Sequence, residues 1–231
     1  MLNMIPIFLD IETRACSRIS VREAVTADIG PPGNYKSAEA KAKWWSENGE
    51  AKRAEAINRT ALDGTWGEIV CIGYAVNDRP VSVITADTER DTLANFVRAL
   101  TLECDATPAW QMNACYIGHN VAAFDLRFIW QRSRIHGIEL PKWPLERYPK
   151  APYVYDTMTE WAGFGGRISQ HDLEAAFGLE RTDPLENGGA DVAAALDAGR
   201  IDDVVAHCAE DVRLLRDIYR RMSGWHEADH E

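Results

Sequence analysis

Apolar residues along this chain alternate between short continuous runs and helically spaced positions. Short runs bounded by turn residues predict five strands, at 5–9, 69–76, 81–85, 115–118 and 153–155. Helical spacing predicts helices over 89–102, 122–136, 170–177, 190–198 and 201–222. Because strands and helices follow one another in this order, we expect an α/β fold in which a mixed five-stranded sheet is flanked by helices.

The segment from 14 to 66 interrupts this order directly after the first strand. It contains the turn-forming sequence Gly-Pro-Pro-Gly at 30–33, and its residues 37–62 are rich in alanine and charge, which favours helix. We therefore expect a single domain over 1–231, with a helical insertion at 14–66 and a frayed acidic tail at 227–231.

Carboxylates follow the first predicted strand, lie within the second predicted helix and lie on the last helix. In an extended chain the side chains of Asp10 and Glu12 point to the same face of the sheet. On the last helix, His207 and Asp211 are four residues apart and share one face. If these groups and Asp125 converge, their repulsion must be relieved by cations, and carboxylates are the ligands that Mg²⁺ and Mn²⁺ prefer. The pattern predicts a divalent metal site.

Each segment also has an ordinary structural interpretation. Asp10 and Glu12 are compatible with a polar strand end, and Asp125 with a first-turn residue stabilised by the helix dipole. His207 is compatible with a partly exposed helix residue, and Asp211 with a solvated partner of nearby arginines. The order and spacing of the three segments together favour the metal site.

The three segments resemble the DEDD superfamily of 3′-to-5′ exonucleases. The similarity is greatest to the exonuclease domain of family-B DNA polymerases and its free-standing bacterial and phage relatives. It rests on Asp10-x-Glu12, on Asn120-x-x-x-Phe124-Asp125 and on two supporting runs, 67–73 and 173–179. The resemblance implies a ribonuclease-H-like fold and hydrolysis with two divalent cations, Mg²⁺ or Mn²⁺.

The resemblance also implies roles for individual residues. The metal ligands are Asp10, Glu12, Asp125 and Asp211, and the contacts to the terminal nucleotide are Thr13, Asn120 and Phe124. His207 is expected to orient or deprotonate the attacking water, for which its ordinary pKa is suited. The last motif has the spacing of the tyrosine branch, Tyr-x-x-x-Asp, but carries histidine, whereas the histidine branch has His-x-x-x-x-Asp.

The expected activity is 3′-to-5′ hydrolysis of single-stranded or frayed DNA ends, with release of nucleoside monophosphates. Two alternatives stay open. One is an exonuclease acting on RNA or short oligoribonucleotides, because the discriminating contacts near the 2′ position are not visible in a sequence. The other is a nucleic-acid-binding module with weak catalysis, since His207 stands where the branch with this spacing has tyrosine.

Trp44 and Trp45, within the insertion, are flanked by lysine and arginine. They are candidates for stacking on nucleic-acid bases, and the alternative is that they pack the insertion helix onto the core.

The formal charge of −11 argues against a protein that binds along duplex nucleic acid, because such binding depends on lysine and arginine at the phosphates. This charge is compatible with an enzyme that binds a short 3′ end through metals. No apolar run reaches the ~20 residues that span a bilayer, so no membrane association and a cytoplasmic location are expected. The five cysteines are scattered without a Cys-x-x-Cys pair, which predicts reduced core thiols. The sequence does not identify a protein partner.

Overall fold

The computed structural model describes residues 4–104, 113–145, 153–163, 165–185 and 188–224. Within these ranges the strands are β1 (Ile5–Arg14), β2 (Glu68–Val76), β3 (Ser82–Ile84), β4 (Ala114–Gly118) and β5 (Val154–Asp156). The α-helices are α1 (Ile19–Thr26), α2 (Ala38–Arg59), α3 (Glu89–Glu103), α4 (Asp125–His136), α5 (Thr157–Ala162), α6 (Gln170–Phe177), α7 (Gly189–Asp197) and α8 (Ile201–Ser223). The acidic tail expected at 227–231 lies outside the described residues.

The five strands form one sheet in the order β3-β2-β1-β4-β5. Strands β1, β4 and β5 are parallel neighbours, and β2 pairs with β3 in the antiparallel sense. The parallel strands therefore end at the same edge of the sheet. This mixed five-stranded α/β sheet flanked by helices is the fold that the sequence predicts, and it is consistent with a ribonuclease-H-like arrangement. Among the described residues, no helix combines the length and apolar character needed to cross a membrane.

The chain divides into two compact units, one comprising Thr13–Glu68 and the other the residues before and after that segment. In the smaller unit, the hydroxyl of Thr13 donates to the carbonyl of Ala61 at 2.8 Å. The backbone N–H of Cys16 donates to the hydroxyl of Thr60, also at 2.8 Å. These bonds join the beginning of this unit to its end.

The structure differs from the sequence prediction in two additional helices and in the ends of several elements. Helices α1 and α5 were not predicted; they have eight and six residues and are too short to display a clear helical period. Helix α4 begins at Asp125 rather than at 122, because Asn120 has a φ of 59° and the residues after it form a turn. Strand β1 extends to Arg14, beyond the apolar run at 5–9 from which it was predicted.

Helix α8 lies close to the sheet at Gly73 of β2. A Cβ atom at this position would lie 2.8 Å from Sγ and 3.0 Å from the carbonyl oxygen of Cys208, and 2.9 Å from Cγ2 of Val212. The carbonyl cannot move without shifting the helix. Glycine at this position therefore fixes how closely α8, which carries His207 and Asp211, approaches β2.

Gly73→Ala is expected to lower stability by about 1–3 kcal/mol, because the added methyl group must displace α8. Thermal unfolding should show a melting temperature about 5 °C below that of the unaltered protein. Gly189→Ala is the matched control, since a Cβ there meets no atom within 4 Å. Equal melting temperatures for the two variants would show that α8 accommodates the methyl group freely.

Candidate functional site

The end of β1 presents two carboxylates on one face of the sheet. Ile11 is buried in the main hydrophobic core, so Asp10 and Glu12 on either side of it point the other way, as the strand alternation predicts. The backbone N–H of Ile11 donates to Oδ1 of Asp125 at 3.1 Å. This bond joins the first carboxylate segment directly to the second.

Asp125 is the first residue of α4 and is 3% exposed. The loop before it is shaped by Asp156 at the end of β5. Oδ1 of Asp156 accepts from the backbone N–H of Asn120 at 2.9 Å, and Oδ2 accepts from that of Ala122 at 3.2 Å. Asp156 also caps α5 through the N–H of Met158. Asp156 thus holds the second segment in place without being one of the predicted ligands.

His207 and Asp211 lie one turn apart on α8, and both turn toward β1. Nε2 of His207 is 3.3 Å from Oδ2 of Asp211 and 3.8 Å from Oε1 of Glu12. His207 is 4% exposed, so it is not the partly exposed helix residue that the alternative interpretation assumed. Asp211 is not a partner of the arginines that follow it on the helix, because its Oδ1 accepts from Arg181 at 2.6 Å.

Among the described residues, Glu12, His207 and Asp211 form a group that could hold a metal ion. One ligand atom from each lies within 4.8 Å of the others. Two of these ligands are carboxylates, which suit Mg²⁺ or Mn²⁺, and the imidazole nitrogen is also acceptable to Mn²⁺. Of the four predicted ligands, this group contains Glu12 and Asp211 and includes neither Asp10 nor Asp125.

Burial raises the pKa of each of these carboxylates, and nearby negative charges raise it further. Burial, followed by the negative charges of Asp211, Asp125 and Glu12, raises the pKa of Asp10 well above its usual range. Burial is also the largest cause of the raised pKa of Glu12. It raises the pKa of Asp125 to about 8. For Asp211 the rise caused by burial is opposed by His207 and Arg181. A bound cation would lower these pKa values by stabilising the charged carboxylates.

In EDTA, the protein should lose stability as pH rises from about 6.5 to about 8.5. The pKa of Asp125 is about 8 in the folded protein and lies near 3.9 in an unfolded chain, so protonation favours the folded state. This stabilisation is fully present below the unfolded value and is lost as pH passes the folded value. Calorimetry should show a melting temperature lower by about 5 °C at the higher pH.

Asp125→Asn is the control for this pH dependence, because asparagine cannot titrate. Its melting temperature should fall less over the same interval. An identical slope in the two proteins would contradict the raised pKa of Asp125.

Sequence reasoning missed a cation beside the carboxylates. Arg181, in the loop between α6 and α7, contacts Oδ1 of Asp211 at 2.6 Å, Oε1 of Glu174 at 2.7 Å and Oδ1 of Asp183 at 3.0 Å. Arg181 and Asp183 lie in a stretch with no hydrophobic period and no recognisable motif, so the sequence carries no signal for them. The run at 173–179 that supported the family resemblance ends just before this loop.

The predicted nucleotide contacts near the carboxylates are Thr13, Asn120 and Phe124. Thr13 follows Glu12 in β1, and Asn120 and Phe124 flank the turn before Asp125. Phe124 is half-buried and packs against Phe128 with a ring separation of 5.4 Å. No ligand contact tests these three residues, and their roles stay predictions.

The two tryptophans of the insertion differ in exposure. Trp44 is 7% exposed and meets Trp45 edge to face at 5.2 Å. Trp45 is half-buried, and the guanidinium of Arg53 lies 4.9 Å from its ring centre. Stacking of a base on Trp44 would require the side chain to move, whereas Trp45 retains some accessible surface.

No protein-family model and no curated protein sequence matches the chain. Among solved structures, the chain is similar to the family B DNA polymerase from the hyperthermophilic archaeon Pyrobaculum calidifontis, with a TM-score of 0.59. The match covers 95% of this chain and 24% of the polymerase chain, at 14% sequence identity. At this identity the similarity shows the fold. This protein thus has the fold of a part of a DNA polymerase and carries a carboxylate cluster at its sheet edge.

Proposed function

We propose that this protein is a metal-dependent 3′-to-5′ exonuclease of the DEDD superfamily that acts on single-stranded or frayed DNA. The observation that carries the proposal is the proximity of four buried carboxylates, shown by the negative charges of others in this set raising the pKa values of Asp10, Glu12 and Asp125. A protein that only binds nucleic acid has no use for such a cluster, because carboxylates repel phosphate. The family B polymerase fold and the order of the motifs support the same activity.

The carboxylates would hold two divalent cations. By the family resemblance, Asp10, Glu12 and Asp211 would hold one, and Asp10 and Asp125 the other. When bound, Mg²⁺ or Mn²⁺ supplies positive charge that activates water and stabilises the attacking and leaving oxygens. Arg181 binds Oδ1 of Asp211, which leaves Oδ2 on the side of Glu12 and His207.

His207 would accept the proton of the attacking water. Its Nε2 faces Glu12 and Asp211, where that water would lie. As the water oxygen bonds to phosphorus, the proton passes to Nε2. The bond from phosphorus to the 3′ oxygen of the preceding nucleotide then breaks, that oxygen takes a proton from solvent, and a nucleoside 5′-monophosphate leaves.

Three further residues would position the terminal nucleotide. Thr13 offers backbone groups next to Glu12, Asn120 lies in the turn that Asp156 holds, and Phe124 presents a half-buried ring. An aromatic ring of this kind can stack on any base, which suits an enzyme that removes nucleotides without regard to sequence.

The polarity of digestion tests this proposal. With Mn²⁺, a 5′-labelled single-stranded DNA should yield a descending ladder of products, and the same strand with a 3′-phosphate should be degraded more slowly. A circular single strand is the control and should stay intact. Cleavage of the circle would indicate an endonuclease, and faster degradation of a matched RNA strand would overturn the preference for DNA.

A further inference from the structure

His207 contacts another carboxylate on the side of its ring that faces away from Glu12 and Asp211. Nδ1 of His207 lies 2.6 Å from Oδ2 of Asp183, whose side chain is 2% exposed. Nε2, the other ring nitrogen, faces the carboxylate cluster. The imidazole therefore connects Asp183 to the site at which water would be activated.

The contacts at Nδ1 determine which nitrogen of a neutral ring carries the proton. A carboxylate can only accept, so the contact with Asp183 requires the proton on Nδ1. The guanidinium of Arg181 can only donate, and its Nη1 lies 3.3 Å from the same nitrogen. The contact with Asp183, at 2.6 Å, is shorter than this one and shorter than the 3.3 Å between Nε2 and Oδ2 of Asp211, so the single proton of a neutral ring belongs on Nδ1. Nε2 then presents its lone pair to the cluster.

The loop that carries Asp183 is firmly attached to α8. Oδ1 of Asp183 accepts from Arg181 at 3.0 Å, and Oδ2 accepts from the backbone N–H of Leu185 at 3.1 Å. The backbone N–H of Thr182 donates to Oε1 of Glu210 at 2.8 Å, and Glu210 is on the same helix as His207. These bonds keep the Asp183 carboxylate in place beside Nδ1.

We propose that Asp183 is a positioning residue for hydrolysis, which binds Nδ1–H of His207 and keeps the lone pair of Nε2 aimed at the attacking water. The inference rests on the proposed exonuclease function. Once Nε2 has taken the proton of the water, the negative charge of Asp183 also stabilises the imidazolium. Without Asp183, the ring is free to rotate or to carry its proton on Nε2, where it cannot accept another.

The tautomer of His207 gives a test that needs no enzymatic activity. A two-bond ¹H–¹⁵N correlation spectrum of the full-length, metal-free protein, recorded above the titration range of histidine, separates the two ring nitrogens. The spectrum of His207→Gln identifies the signals by their loss. We expect a protonated Nδ1 and an unprotonated Nε2 in the unaltered protein. A proton on Nε2 there would overturn the proposal, even if no Asp183 variant folds.

Kinetics test whether Asp183 acts through His207. Asp183→Ala should lower kcat by about 10- to 100-fold with little change in KM, as is typical for residues that orient a catalytic group. In the His207→Gln background the same substitution should lower kcat by less than about threefold, because the residue that Asp183 positions is gone.

Glu174→Ala is the matched control. It also removes a buried carboxylate that binds Arg181, and no contact joins Glu174 to His207 among the described hydrogen bonds and ion pairs. This variant should keep kcat within about threefold of the unaltered protein. Equal losses of kcat in Asp183→Ala and Glu174→Ala would assign Asp183 a structural role only. The same conclusion would follow if Asp183→Ala lowered kcat equally with and without His207.

The two proposals fail in different ways. If the unaltered protein hydrolyses no nucleic acid while Nδ1 of His207 is protonated, the exonuclease function fails and the Asp183–His207 bond stands. If hydrolysis is robust but Nε2 carries the proton, the positioning role of Asp183 fails alone.

Discussion

Asp10→Asn is expected to reduce nuclease activity by at least about 10³-fold, because it removes a ligand assigned to both cations. The same change should raise the melting temperature in EDTA by several degrees, on the order of 5 °C, since a buried charge next to three others disappears. Steady-state hydrolysis of single-stranded DNA and calorimetry of the metal-free protein measure the two effects.

Asp87→Asn is the matched control for this variant, because Asp87 is an exposed carboxylate in the turn before α3. It should leave both activity and melting temperature nearly unchanged. An Asp10→Asn protein that keeps more than about a tenth of the activity would show that Asp10 is not a ligand on which hydrolysis depends. The opposite changes expected in activity and stability separate loss of a ligand from misfolding.

His207→Gln is expected to lower kcat by about 10²-fold or more, because glutamine preserves a polar side chain but cannot accept the proton. We expect log kcat of the unaltered protein to rise with pH. This rise should flatten in the variant. A metal-bound water can produce the same increase in the unaltered protein, so the variant and not the unaltered profile decides the question. Measurements of kcat from about pH 5.5 to about pH 9 test this.

His207→Tyr separates proton acceptance from orientation of water. Tyrosine is the residue of the branch whose spacing this chain has, and recovery of substantial activity would favour an orienting role. His171→Gln, on an exposed histidine, is the control and should leave the pH profile unchanged. A His207→Gln protein with the unaltered rate and profile would remove His207 from the mechanism.

The sheet could be predicted because its buried strands require uninterrupted apolar residues. The run at 69–76 became β2 with only its first residue added, and the run at 115–118 became β4 in the same way. The carboxylates could be predicted because strand alternation and helical spacing fix which side chains share a face. Short helices such as α5 were not predicted, because six residues contain less than two helical turns.

The surroundings of His207 could not be predicted, and the physical reason is its contact with an irregular loop. Helical spacing places His207 beside Asp211, but the burial of the ring depends on Arg181 and Asp183. Neither residue belongs to a periodic element, and both reach α8 through side-chain ion pairs. The same limit applies to Trp44, since a tryptophan among charged residues has the same local pattern whether it is buried or accessible.

We propose that the carboxylate cluster uses divalent cations to hydrolyse nucleic acid from its 3′ end. The most direct measurement is a time course on 5′-labelled linear single-stranded DNA with Mg²⁺, with Mn²⁺ or with excess EDTA, for the unaltered protein and for Asp10→Asn. We expect a descending ladder with at least one of the metals, none in EDTA and none with Asp10→Asn. Undiminished cleavage in EDTA, or equal cleavage by Asp10→Asn, would contradict it.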